Sequence, residues 1–148
     1  MIEVTQTILH LETPGRYGNC LQAAVASLLE LPIEDVPHFA QYDNADHALL
    51  WWDALVGWVH QAGWEAAWLD EAPGDELCII GGKSPRGVNH VCVGRGDVVV
   101  WDPHPSRDGL LSVEDWITLR PAPPAHIVTA AQRYSDEIAA ALACEDAS

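Results

Sequence analysis

The sequence predicts one α+β domain in which helices precede an antiparallel sheet. The chain has 148 residues, which is the size of a single domain with its own core. Its first part carries apolar residues at helical spacing, and from Trp64 onward apolar residues alternate at strand spacing. Because the helices come first and the strands follow, the pattern favours an α+β layer over alternating strands and helices.

Two helices are predicted before the strands. The first follows Asn19, a residue type that is typical of helix N-caps, and Pro32 ends it. The second spans about residues 46–62 and stops at Gly63. Its aromatic residues are interpreted as core, with a ligand groove as the alternative: Trp51, Trp52 and Trp58.

Short apolar segments predict the strands of the sheet, namely residues 64–68, 77–80, 90–94 and 98–102. The glycine-containing segment 81–87 predicts a loop. Residues 112–118 predict a short helix that begins at Ser112, and residues 132–148 predict a terminal helix and tail.

Composition excludes several classes of function. Seven basic residues against 22 acidic ones give a net charge of −15, which disfavours nucleic acid and anionic membranes, because phosphate contacts depend on Lys and Arg. The longest apolar run, Ile138–Cys144, is far shorter than the roughly 18 residues that a membrane span needs. No secretory signal is recognised, so the expected location is the cytoplasm.

The four cysteines are not equivalent. No two of them form a C-x-x-C pair, which argues against a zinc ribbon or a thioredoxin-type motif. Cys78 and Cys92 lie in strand segments and are interpreted as buried hydrophobes, while Cys144 is expected to be inert. Cys20 lies in the first helical turn, where free N–H groups and the helix dipole favour a thiolate and can hold an oxyanion.

A predicted hairpin brings two further polar residues together. His90 begins one strand and Asp102 ends the next, and a three-residue loop at residues 95–97 pairs them directly. Directly opposed residues share a face with Cβ atoms roughly 5 Å apart, so the carboxylate can orient the imidazole. With Cys20, these residues form a candidate Cys-His-Asp catalytic triad.

Three short motifs resemble those of the papain-like cysteine peptidase superfamily: Tyr17–Ala23 at a helix start, Asn89–Val91 opening a strand and Trp101–Pro103 closing the next. The chain is similar to compact bacterial and phage members, including bacteriocin-leader peptidases, NlpC-type amidases and transglutaminase-like enzymes. The resemblance covers about residues 1–105. It implies a papain-like fold, in which a Cys-bearing helix packs on an antiparallel sheet.

The resemblance also implies an oxyanion donor and a reaction. Such enzymes usually place a glutamine upstream of the cysteine, and Gln6 is the only one here, although its separation of 14 residues is longer than usual. Asn19 and Gln22 are the other side chains considered. The predicted function is a cysteine-dependent hydrolase that cleaves a peptide or isopeptide bond in a peptide or protein substrate, with no cofactor and no metal.

Three alternatives stay open at this point. A transglutaminase-like acyltransferase would pass the same thioester to an amine, and a conjugate with an added amine would reveal it. A non-catalytic papain-like binding module would keep its activity in a Cys20→Ser variant. A metal site could be built from one set of donors, which metal analysis would detect: His90, Cys92, Asp102 and His104.

Overall fold

The computed structural model describes residues 1–10, 17–42 and 50–123. Two α-helices lie in this part of the chain, α1 (Cys20–Leu29) and α2 (Leu50–Gln61), with 3-10 turns at Ile33–Asp35 and Phe39–Tyr42 between them. Five strands follow: β1 (Trp64–Leu69), β2 (Leu77–Lys83), β3 (Asn89–Arg95), β4 (Val98–Trp101) and β5 (Asp115–Pro121). The predicted terminal segment 132–148, with Cys144, lies outside the described residues.

The strands form one antiparallel sheet in the order β1-β5-β2-β3-β4. The α+β class predicted from the sequence is therefore confirmed. Helix α1 packs against β2 and β3, and α2 packs against β1. Their apolar faces enclose one main core that includes Val25, Phe39, Leu55, Ile79 and Val93. Within the described ranges, no helix combines the length and the apolar character that crossing a membrane requires.

Helix α1 begins where the sequence predicts and ends shortly before Pro32. It starts directly after Asn19 and stops at Glu30, which adopts a left-handed conformation and donates its N–H to the carbonyl oxygen of Ala26. Residues 23–27 are almost completely buried. Four of these five residues are alanine or serine, and their small side chains let the helix backbone approach the sheet.

Helix α2 buries Leu55 and Val59 completely against the core. The tryptophans interpreted as core are partly buried and pack against the same cluster, as the sequence indicates: Trp51, Trp52 and Trp58. The predicted helical start, residues 46–49, lies outside the described part of the chain.

The short helix predicted over residues 112–118 is wrong. Residues from Asp115 onward form β5, the last described strand in the chain, and β5 inserts between β1 and β2. Ile117 pairs with Trp68 on one side and with Ile79 on the other. A central strand satisfies its backbone groups on both edges, and aromatic and β-branched residues suit this position. Strand pairing thus outweighs the capping signal of Ser112.

The loop predicted over residues 81–87 is too long at its N-terminal end. Gly81, Gly82 and Lys83 continue β2 and pair with β3. The chain segment before β5 crosses directly over them, and Glu114 donates its N–H to the carbonyl oxygen of Gly81 at 2.8 Å. A Cβ atom on Gly82 would overlap the carbonyl oxygen of Ser112, so the missing side chain makes this crossing possible.

Substitution of Gly82 by alanine is expected to destabilise the fold, because the added methyl group meets backbone and not a flexible side chain. Overpacking of this kind costs about 1–3 kcal/mol of unfolding free energy. Gly57→Ala is the matched control. Gly57 lies in α2 with no atom within 4 Å of an added Cβ, so alanine there should add about 0.5–1 kcal/mol. Urea unfolding of both variants checks this, and equal midpoints would contradict it.

Candidate active site

The β3–β4 hairpin differs in register from the sequence prediction. Arg95 pairs with Val98, so only Gly96 and Asp97 form the turn. Gly96 has φ 57°, a conformation that a two-residue hairpin turn requires and that glycine adopts without strain. The predicted three-residue loop, and the direct pairing of His90 with Asp102 that follows from it, are therefore wrong.

A β-bulge in β4 offsets the change in register that the shorter turn causes. Gly94 pairs with Val99 and Val93 pairs with Trp101, which leaves Val100 as one extra residue. Without that residue, the register would continue to place Asp102 opposite Val91, on the other face of the sheet from His90. The bulge shifts β4 by one residue and returns Asp102 to the face of His90.

His90 and Asp102 form a buried hydrogen bond. The Nε2 atom of His90 donates to Oδ1 of Asp102 at 2.6 Å, and the two side chains are only 4% and 2% exposed. Asp102 Oδ1 also accepts the N–H of His104 at 2.9 Å, and Oδ2 accepts the N–H of Gly109 at 2.8 Å. Both carboxylate oxygens are thus satisfied, as burial of this charge requires.

The pair stabilises the charged form of each partner. Burial acts to lower the pKa of His90, but the hydrogen bond to Asp102 and the nearby thiols of Cys20 and Cys92 raise it above its usual value. Burial acts to raise the pKa of Asp102, whereas the hydrogen bonds from His90 and two backbone N–H groups lower it to about 2. The arrangement therefore stabilises the imidazolium that forms when His90 takes up a proton beside the Asp102 carboxylate.

Cys20 is the first residue of α1, and α1 packs against β3 so that the thiol interacts with the His90 ring. It is half-buried, whereas Cys78 and Cys92 are buried, as the sequence indicates for those two. Since Nε2 of His90 donates to Asp102, the Nδ1 atom is the one left to exchange a proton with the thiol. The structure thus brings together the three residues of the predicted triad.

Asn19 uses its whole side chain for structural contacts. Its Oδ1 atom accepts the N–H groups of Thr7 at 3.0 Å and of Ile8 at 2.7 Å. Its Nδ2 atom donates to Thr7 Oγ1 at 2.9 Å and to Gln22 Oε1 at 3.1 Å. Both amide hydrogens are occupied, so this side chain offers none to an oxyanion, and it makes no capping bond to α1.

The amide hydrogens of Gln22 are also bonded to other acceptors. Its Nε2 atom donates to the carbonyl oxygens of Ile33 and Val36, at 3.0 and 2.7 Å. Gln22 therefore links α1 to the connector that follows it.

Gln6 remains as the side-chain candidate for the oxyanion. It lies between the segment after Asp102 and the segment before Cys20. Its N–H donates to the carbonyl oxygen of Pro103 at 3.0 Å, and its Nε2 atom is close to Gly18. Nε2 donates one hydrogen to the carbonyl oxygen of Ile8 at 2.8 Å. Its Oε1 atom is buried and has no hydrogen-bond partner among the residues that the structure describes.

Three more residues surround the pair, and two of them, Cys92 and His104, belong to the alternative metal site predicted from the sequence. Cys92 lies beside both His90 and Asp102, with ligand atoms within 4.8 Å of theirs. The His104 ring meets the His90 ring edge-on, with centroids 6.1 Å apart. Cys92 follows His90 by two residues on one strand, a spacing that indicates a shared face. The same spacing places Cys92 in the alternative metal site predicted from the sequence.

Arg107 is the third of these residues, and it holds the loop that follows β4. Its guanidinium donates to the carbonyl oxygens of Asp102 and His104 and to Thr5 Oγ1, at 2.7–2.8 Å. It also lies over the Trp101 ring at 4.1 Å from the centroid. No short motif marks this role, because the contacts come from the folded loop.

No protein-family model, curated protein or solved structure matches the chain. The resemblance to papain-like peptidases therefore stays a prediction from three short motifs.

The acid stability of the fold should depend on Asp102. Because the pKa of Asp102 is lowered to about 2, its charge stabilises the fold above the unfolded value near 4. That contribution, roughly 2 kcal/mol, is lost as the pH falls from about 4 towards 2. Asp102→Asn should thus be less stable than the wild type at pH 7, and the difference in unfolding free energy should shrink across this window.

Glu76→Gln is the control for that measurement. Glu76 forms an ion pair with the exposed guanidinium of Arg120, and such exposed pairs contribute about 0–1 kcal/mol. Urea unfolding at several pH values should therefore show little loss of stability in Glu76→Gln and a larger, pH-dependent loss in Asp102→Asn. A difference between the wild type and Asp102→Asn that does not change with pH would contradict the prediction.

Proposed function

We propose that this protein is a cysteine-dependent hydrolase of amide bonds with a papain-like fold. Cys20 is the nucleophile, His90 the general base and acid, and Asp102 the residue that orients His90. The observation that carries the proposal is the buried His90–Asp102 hydrogen bond of 2.6 Å, next to a cysteine at the start of a helix. Nucleophile, base and orienting group then stand in the order that a triad requires.

The proposed reaction passes through a thioester. The proton of the Cys20 thiol moves to Nδ1 of His90, and the thiolate attacks the carbonyl carbon of the substrate amide. His90 then returns the proton to the leaving amine as the C–N bond breaks. A water molecule, deprotonated by His90, attacks the thioester and releases the carboxylic acid and the free thiol. The Asp102 hydrogen bond keeps the ring oriented through both steps.

The oxyanion of each tetrahedral intermediate is stabilised by N–H donors near Cys20. The Cys20 N–H lies in the first turn of α1, where backbone donors have no partner within the helix. Gln6 is the proposed side-chain donor, because the amide hydrogens of Asn19 and Gln22 are bonded to other acceptors.

The substrate class follows from the site and the charge. A thiol nucleophile with an imidazole acid suits peptide or isopeptide bonds, whose amine leaving group needs a proton. A net charge of −15 attracts neutral or cationic chains and repels polyanions. A peptide or protein substrate without strong negative charge fits both features.

Iodoacetamide should alkylate Cys20 faster than a simple thiol such as glutathione, because His90 takes up the thiol proton. His90→Ala should slow this alkylation by about 10²-fold, a typical loss for a general base. His60→Ala is the control, since His60 is exposed at the end of α2. Peptide mass spectrometry follows each cysteine separately. Equal alkylation rates of Cys20 in the wild type and in His90→Ala would overturn the proposed pairing.

An activated ester such as p-nitrophenyl acetate should acylate Cys20 and then lose the acyl group to water. The thioester should be visible by mass spectrometry at short times and should disappear with continued release of acetate. Cys20→Ser should not form it, while Cys78→Ala, which removes a buried thiol of β2, should behave as the wild type. A stable acyl group on Cys20 without turnover would indicate a binding module in place of a hydrolase.

A further inference from the structure

A second thiol lies within the proposed active site. Cys92 follows His90 by two residues on β3, and the bulge in β4 brings Asp102 to the same face. One ligand atom from each of the three residues lies within 4.8 Å of the others, and all three residues are buried. This cluster combines a sulfur, a nitrogen and an oxygen donor, and the proposed reaction has no use for its sulfur.

The donor set matches one class of cation. Zn²⁺ binds thiolate, imidazole and carboxylate together, at about 2.0–2.3 Å, whereas Mg²⁺ and Ca²⁺ prefer oxygen ligands only. Tetrahedral coordination at these lengths separates the ligand atoms by roughly 3.3–3.8 Å. The His90–Asp102 contact of 2.6 Å would widen by about 1 Å, and the widest separations of up to 4.8 Å would close by a similar amount.

We propose that His90, Cys92 and Asp102 form a Zn²⁺ site. Binding of the ion and the catalytic arrangement of His90 cannot exist at the same time. The ion replaces the proton between Nε2 of His90 and Asp102, and it displaces the thiol proton of Cys92, so binding releases protons. With Nε2 bound to the metal, neutral His90 carries its hydrogen on Nδ1. That atom then has no lone pair to accept the proton of Cys20, so zinc binding removes the general base.

Titration of the full chain with Zn²⁺, in competition with a chromophoric chelator, tests the site. One ion per chain is expected, and Cys92→Ala should weaken its binding by 10-fold or more. Cys78→Ala is the matched control, because Cys78 is also fully buried in a strand of this sheet. Unchanged Zn²⁺ affinity in Cys92→Ala, or equal weakening in Cys78→Ala, would overturn the proposal. Mg²⁺ should not compete with Zn²⁺ at equal concentration.

A measurement on the wild-type protein tests the site without depending on whether the variants fold. X-ray absorption of the Zn²⁺-loaded wild-type chain should show one sulfur with nitrogen and oxygen neighbours. A shell without sulfur would overturn the site. Cys92→Ser, which keeps the size of the side chain, and thermal unfolding of each variant separate loss of a ligand from loss of the fold.

The effect on Cys20 rests on the proposed function, whereas the binding does not. Zn²⁺ should slow the alkylation of Cys20 in the wild type and in Cys78→Ala, but not in Cys92→Ala. Slowing that persists in Cys92→Ala would overturn the assigned site and point to direct binding at Cys20. If Zn²⁺ binds through Cys92 while Cys20 is unreactive without metal, the zinc site stands and the hydrolase proposal fails.

Discussion

The buried charge of Asp102 is the constraint around which this end of the molecule is organised. A carboxylate that is 3% exposed must replace its lost hydration with hydrogen bonds, and leaving a buried pair without one partner costs about 3–5 kcal/mol. Here the donors come from His90 on β3 and from the backbone of the loop after β4. Since that loop curls back to offer two N–H groups to one side chain, its path follows from the charge. Arg107 fixes the same loop through carbonyl oxygens.

The same loop connects Asp102 to the start of α1, where Cys20 lies, through the N-terminal segment. Pro103, the residue after Asp102, accepts the N–H of Gln6. The next two residues of that segment donate their N–H groups to the side chain of Asn19, which directly precedes Cys20. Hydrogen bonds of the N-terminal segment thus link the residue after Asp102 to the residue before Cys20. Residues separated by more than 80 positions in the chain share one site because the N-terminal segment lies between them.

Local sequence patterns predicted the helices and strands of this site better than the register in which the strands pair. Helix α1 starts directly after Asn19 as predicted, although Asn19 makes no capping bond, and the strands around His90 and before Asp102 follow from alternation, which acts over a few neighbours. The hairpin register depends on where one extra residue lies, and nothing in the run of valines marks Val100 as the bulge. The expected contact between His90 and Asp102 is present for a different reason from the one that predicted it. The three-residue loop does not form, and the bulge supplies the missing shift.

Longer-range pairing accounts for the other differences. Residues 115–118 follow a helix-start pattern, yet they lie in β5, an interior strand, because two open strand edges offer more hydrogen bonds than an isolated helical turn. The functions of Asn19 and Gln6 were equally beyond local patterns. Both are amides close to the start of α1. Only their hydrogen-bond partners show that both amide hydrogens of Asn19 are bonded, whereas one amide hydrogen of Gln6 is not.

The net charge of −15 acts on a different scale from these contacts. Surface carboxylates are screened within about 8–10 Å at physiological salt, whereas the His90–Asp102 pair is buried and balances its own charge within one hydrogen bond. The positive charge that the proposed mechanism needs is therefore carried by the imidazolium, and Asp102 holds it in place. The acidic surface instead attracts cationic groups and repels polyanions at longer range. The same balance explains how a divalent cation competes with two protons: the carboxylate and the thiolate of the cluster provide the negative charge that those protons otherwise neutralise.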